Sequence, residues 1–349
     1  MMTKHRAVFI CVILLLVALC GCETGPGKQQ TGSAAAGGPV SSELEAQATQ
    51  IIQQALANSN SQVRTNAIEM AAAAPISRAH KFMPAVQQLL KDESVPVKFA
   101  AAVAIGDSGY SQARGDIIRL LKDDNENVKI AAAYAAYKLG YAGGLATIYK
   151  SIKSNDQSAR ANAAFLLGKS GESPKRALPV LYETMRDETS DEKVILNSIE
   201  AVARLGDNKI YQKLWAMLIS AYADDRVCGI RAMGALGTPQ ARDSISTMLK
   251  DDLPEVRLVA AEQLGKMGDT AGEKVVINAF TKDIANAQDQ ETRARIQTLA
   301  ALAIGQIRTP ALKNFLPALL KSESQFARLA AAKSVLQYTS GNNGNNIGR

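Results

Sequence analysis

Between Val63 and Ala327 a short apolar block broken by one basic side chain returns again and again. It reads Val97-Lys98-Phe99-Ala100-Ala101-Ala102, then Val128-Lys129-Ile130-Ala131-Ala132-Ala133, and later Val256-Arg257-Leu258-Val259-Ala260-Ala261. With the residue before the basic position as anchor, the anchors are Val63, Val97, Val128, Ala159, Val194, Asp225, Val256, Ile296 and Ala327. Five of the eight intervals are 31 residues, and the others are 34, 35 and 40. The position after the anchor is basic in seven units (Arg64, Lys98, Lys129, Arg160, Arg226, Arg257 and Arg328), with Ile195 and Gln297 as exceptions. Glycine recurs nine or twelve residues after the anchor, as at Gly106, Gly109, Gly168, Gly171, Gly234 and Gly237. A fixed phase of this length is the signature of stacked structural repeats.

Each unit reads as two helices. The second starts at the anchor, after a turn rich in capping residues such as Asp92-Glu93-Ser94-Val95-Pro96, and stops at the glycines, where a left-handed residue closes a helix at little cost. The first helix of the next unit follows, as in Asp116-Ile117-Ile118-Arg119-Leu120-Leu121. Neither helix can hide its apolar stripe alone, so neighbouring units must stack. This pattern resembles the HEAT repeat, in the short form related to the repeats of phycobilin lyases. The resemblance implies an all-α fold over residues 41–338, a right-handed α-solenoid (superhelix) of about eight to nine HEAT-like helical hairpins. The stretch Asp283 to Glu291, which lengthens one interval to 40, reads as a polar loop.

On a helical wheel the basic position lies on the flank of the buried stripe, where it needs an acidic partner. The preceding turns offer Asp92, Asp123, Asp124, Asp156, Asp251 and Asp252. In HEAT-like families such Asp and Arg residues form a ladder joining successive units. The resemblance further implies that the second helices line a concave groove, which places the third, sixth and tenth residues after the anchor on that surface. In the middle units these are Tyr134 and Phe165, the basic column Lys138, Lys169 and Arg204, and Asn162 and Asn197. Aromatic anchors with a charged rim suit a protein partner.

The amino terminus reads as an address. Lys4 and Arg6 precede thirteen apolar residues, Ala7 to Leu19, which is too short to span a bilayer comfortably and is the form of a signal peptide. The run ends in Leu19-Cys20-Gly21-Cys22, which resembles the lipobox of bacterial lipoproteins and implies a signal peptide over residues 1–21 and acylation of Cys22. Cys20 departs from the small residue usual at its position. Residues 22–40, rich in Gly, Ser, Gln and Ala, read as a flexible tether, and residues 339–349 as a disordered tail.

Composition narrows the function classes. The chain has 349 residues, 47% of them hydrophobic and only 5% aromatic, with two histidines and four cysteines. Removal of residues 1–21 takes His5, Cys11 and Cys20 away, and what remains builds no zinc site, disulfide scaffold or Cys-His nucleophilic pair. Loss of Lys4 and Arg6 lowers the basic residues from 40 to 38 against 33 acids, a net +5, which is not a nucleic-acid footprint. The expectation is a non-catalytic scaffold without cofactor or metal, lipid-anchored in the bacterial cell envelope and holding envelope proteins. A chromophore-handling, bilin lyase-like protein or an enzyme accessory factor is the alternative that the lyase resemblance suggests.

Overall fold

The computed structural model describes residues 40–338, apart from the side chains of Ile76 and Ser77. The segments read as signal peptide, acylated Cys22 and tail lie outside the described residues. Val40, assigned above to the tether, is buried in the core.

Every regular element among the described residues is helical. The hairpins are α1 (Ser42–Leu56) with α2 (Ser61–Ala72), α3 (Ile76–Gln88) with α4 (Val95–Ser108), and α5 (Arg114–Leu120) with α6 (Glu126–Lys138). They continue as α7 (Gly144–Ser151) with α8 (Gln157–Lys169), α9 (Pro174–Arg186) with α10 (Glu192–Arg204), and α11 (Tyr211–Leu218) with α12 (Ala223–Leu236). Next come α13 (Pro239–Thr247) with α14 (Pro254–Lys266) and α15 (Glu273–Asn278) with α16 (Gln290–Ile307). In the last, α17 (Pro310–Lys313) and α18 (Leu316–Leu319) precede α19 (Gln325–Tyr338). These are nine hairpins of an α-solenoid. The expected loop after Asp283 is mostly helix instead: a π-helical turn Ala279–Asp283 runs into a helical turn Ile284–Asn286, leaving only residues 287–289 irregular.

The solenoid curls until its ends meet. First helices such as α3, α7, α9 and α13 pack between the second helix of their own unit and that of the unit before, and α1 takes α19 as the missing predecessor. Helix α19 also packs on α2. Arg78 clamps this seam, donating from Nε to Glu45 Oε1 at 2.7 Å and from Nη1 to the Leu336 carbonyl at 3.5 Å. The second helices therefore form an inner ring with neighbours on all sides, which explains their alanine-rich runs. Helix α8 buries Ala159 to Ala161 and Ala163 to Gly168, leaving almost no polar face. Closure also gives the body two rims, one of turns within hairpins and one of glycine turns between them.

The two glycine columns do different work. Those twelve residues after the anchor, such as Gly109 at φ 63°, are left-handed helix ends. In the eighth unit Arg308 holds the same conformation at φ 56°. Those nine residues after the anchor let inner helices touch: a Cβ on Gly168 would lie 2.6 Å from the Cα of Ala201.

Candidate functional site

Ring closure changes what the sixth and tenth positions do. They point at a crowded centre instead of an open groove, so Tyr134 is only 1% exposed and Phe165 is also buried. Tyr134 donates to Asp107 Oδ1, and Lys169 reaches across two units to Asp107 Oδ2 at 2.8 Å. The same ammonium lies 5.5 Å from the Phe165 ring centre and 6.0 Å from that of Tyr134, within cation–π range. Asn162 donates to Asn127 Oδ1 at 2.8 Å and Asn197 to the Ala161 carbonyl at 2.9 Å, both along the inner ring. Arg204 pairs with Glu200 at 2.6 Å. Of the column read as a partner surface, Lys138 is the exposed member. The other six knit the centre together, because the groove they were expected to line is closed.

The centre also gathers charges from distant units. The Glu69 oxygens reach neither solvent nor a hydrogen-bond donor. Burial pushes this carboxyl well above its usual range, and Lys333 and Lys169 offset only part of the rise. At Glu262 burial acts in the same direction, but Lys266, Arg231 and Lys333 outweigh it and hold the carboxyl at about 2. The linkage signs are opposite. Glu69 contributes stability that is fully present below the unfolded carboxylate range near ~4.3 and is lost as pH rises through its raised folded value. Glu262 favours the fold above ~4.3 and loses its contribution as pH falls through the folded value. Glu69→Gln is therefore expected to raise the melting temperature at pH 8 with the gain fading towards pH 4. Glu262→Gln should lower it at pH 8, by a deficit that shrinks in acid. Thermal scans from pH 4 to 8 check both.

The basic position after the anchor builds an inter-unit ladder, with one correction to its partners. The acid comes from the following turn, and the preceding turn supplies backbone carbonyls. Arg64 grips Asp92 with two bonds of 2.8 Å while its Nη1 donates to the Asn58 and Ser59 carbonyls. Lys98 meets Asp123 at 2.6 Å, and Arg160 meets Asp187 at 2.7 Å. Arg226 meets Asp251 at 2.8 Å and Asp252 at 3.0 Å, and Arg257 meets Asp283 at 3.0 Å. The lengthened unit thus still delivers its acid. Arg328, in the last unit, holds the carbonyls of its own preceding turn. Among the described residues Lys129 forms no ion pair, and Glu126 beside it accepts from Ser154 instead. Asp92 and Asp251 also accept from backbone N–H groups two residues on, at 2.9 Å, so one side chain shapes the turn and joins the units.

The turn rim holds residues that sequence reasoning passed over. Three residues before the anchor, Asn60, Asn125, Asp156 and Asp191 cap their inner helices with side-chain bonds. The sixth and seventh units place Tyr222 and Leu253 at this position, and neither helix has a side-chain cap. Tyr222 is 74% exposed and Ile219, three residues earlier, 69%. Trp215, four residues before Ile219, is exposed as well. Apolar residues in a capping column were the signal available in the sequence.

Elsewhere, His80 is exposed, with its ring edge-on to Tyr110 at 6.3 Å, and Cys228 is a half-buried free thiol. The acids Asp187, Glu188, Asp191 and Glu192 form no metal-type cluster among the described residues. No described helix is long and apolar enough to cross a membrane.

The family model described as HEAT repeats matches residues 82–155 and 223–300. No curated protein matches the chain. Among solved structures, similarity is found to the complex of CpcE and CpcF of phycocyanin lyase from Nostoc sp. PCC7120. The identity is 18%, with a TM-score of 0.39 over 73% of this chain and 94% of that one. Human deoxyhypusine hydroxylase is similar at 18% identity and a TM-score of 0.38, over 74% of this chain and 96% of that one. An engineered protein is similar at 17% identity and a TM-score of 0.31, over 84% and 89% respectively. HEAT repeats are thus matched over residues 82–155 and 223–300, within a solenoid of nine stacked hairpins.

Proposed function

We propose that the chain is a non-catalytic repeat scaffold, held to a bacterial membrane by acyl groups on Cys22, that presents its turn rim to a protein of the cell envelope. The observation that carries this reading is the broken capping column. Tyr222 and Leu253 replace residues that cap the inner helices elsewhere, at a cost of about 1 kcal/mol each, and with Ile219 and Trp215 they expose a patch of large apolar side chains. Stability given up for exposed aromatic and aliphatic surface is the mark of an interaction site. The partner surface therefore sits on the turn rim of the sixth and seventh units, and not on the Tyr134 and Phe165 column.

The test separates binding from folding by using substitutions that help the fold. Tyr222→Asn and Leu253→Asn restore a capping side chain, so the double variant is expected to melt higher than the parent. A photo-crosslinking residue at position 219 should yield a discrete adduct with an envelope protein in intact cells, and the double variant should lose it. An adduct of undiminished yield from the double variant would remove the patch from the account. Labelled fatty acid should enter the parent chain and not Cys22→Ser; equal labelling would remove the anchor.

A further inference from the structure

We propose that the glycine rim of the ring is a docking surface for a bilayer of anionic headgroups. Closure makes this rim flat: α19 returns to the level of α1 and α2, so the chain gains no rise over nine units. All first helices begin on this rim and all inner helices end there.

The exposed charge on it is strongly one-sided. Arg114, Lys175, Lys209, Lys213 and Lys274 stand exposed in or just before the opening turns of first helices. Helix-end electrostatics disfavour cations at those positions. Arg114 serves the end of α6, donating from Nη2 to the Leu139 carbonyl at 2.9 Å, but Lys175, Lys209, Lys213 and Lys274 serve no such helix end among the described residues. Lys138 and Arg308 add exposed charge at the ends of inner helices, whereas Lys266 is held by the buried Glu262 at 3.1 Å. Against these, the exposed carboxylates of the rim among the described residues are Glu43 and Asp243. Of its less exposed acids, Asp107 is paired with Lys169 and Glu172 with Arg176.

The point of chain entry selects the occupant. Residues 1–39 join the body at Val40, beside the start of α1, and residues 339–349 leave from the end of α19. Both junctions lie on the glycine rim. A tether that enters there keeps this face, and not the apolar patch on the opposite rim, next to whatever holds the amino terminus. A flat array of cations suits a planar anionic surface. The orientation rests in part on the anchor proposed above, whereas the charge pattern stands without it.

The experiment measures partition of the full chain onto vesicles of phosphatidylglycerol and phosphatidylcholine (~30:70) against phosphatidylcholine alone. Any amino-terminal anchor contributes to both, so the ratio reports the rim even if the anchor reading fails. The ratio is expected to exceed about tenfold at low salt and to fall below about twofold at 0.5 M NaCl. The variant Lys175→Glu, Lys209→Glu, Lys213→Glu, Lys274→Glu should lose the preference. A charge-matched variant of the turn rim (Lys91→Glu, Lys122→Glu, Lys150→Glu, Lys250→Glu) should keep it. A ratio near one for the parent, or equal loss in both variants, overturns the proposal. So does salt-sensitive binding to heparin without a vesicle preference, which would make the rim a polymer site.

Discussion

Gly168→Leu is expected to destabilise the ring by about 3 kcal/mol or more, seen as a large drop in the melting temperature followed by circular dichroism. The added Cβ would lie 2.6 Å from both the Cα and the Cβ of Ala201. Backbone on the neighbouring helix cannot swing aside as a flexible side chain can, so α8 and α10 must separate. Inner helices are packed on every side, and a displacement at one contact is passed to the next. Gly115→Leu is the control. Gly115 lies on an outer helix with nothing within 4 Å of the added carbon, and helix propensity favours the change by ~0.5–1 kcal/mol. Equal effects of the two substitutions would mean that the inner helices are not in the close contact described.

Arg226→Ala should lower the melting temperature on the order of 5 °C. Its guanidinium joins two successive units, and the Asp251 side chain it holds is only 6% exposed. Removing one partner of such a pair leaves the other charge buried without compensation, which costs about 3 kcal/mol. The Ser220 and Ala221 carbonyls would lose a donor as well. Arg242, paired at 3.6 Å with the exposed Asp243, makes the kind of surface contact that contributes little, and Arg242→Ala should leave the melting temperature nearly unchanged. A thermal scan of both variants decides whether the recurring basic residue joins units or only decorates them.

The repeat phase, the helical hairpins and the location of the ladder were legible because each has a local cause. A helix end needs a left-handed residue, a turn needs a side chain that bonds its own backbone, and a flanking base needs an acid. Two things were not local. The choice of partner acid depends on the rotation between units, and that put Asp92 with Arg64 across the interface instead of with Lys98 in its own unit. The fate of Tyr134 and Phe165 depends on the summed curvature of nine units, which no single unit encodes. A slightly smaller rotation per unit would leave them lining a groove, whereas closure makes them part of the centre. The candidate patch was half legible: Tyr222 and Leu253 break a column of capping residues, yet only exposure shows that the space is left open to solvent and not filled by a neighbour.

Closure is the claim on which the buried centre, the flat rim and the exclusion of the inner column all depend. Spin labels at Gln53→Cys and Gln325→Cys, with the four native cysteines changed to Ser, test it directly by pulsed electron resonance. Both positions are exposed on the turn rim, on helices that meet at the seam. A closed ring gives a narrow distance distribution below about 30 Å, as for neighbouring helices spaced ~8–10 Å apart. A distribution centred beyond about 50 Å, the spread of an open row of nine such units, would contradict the account.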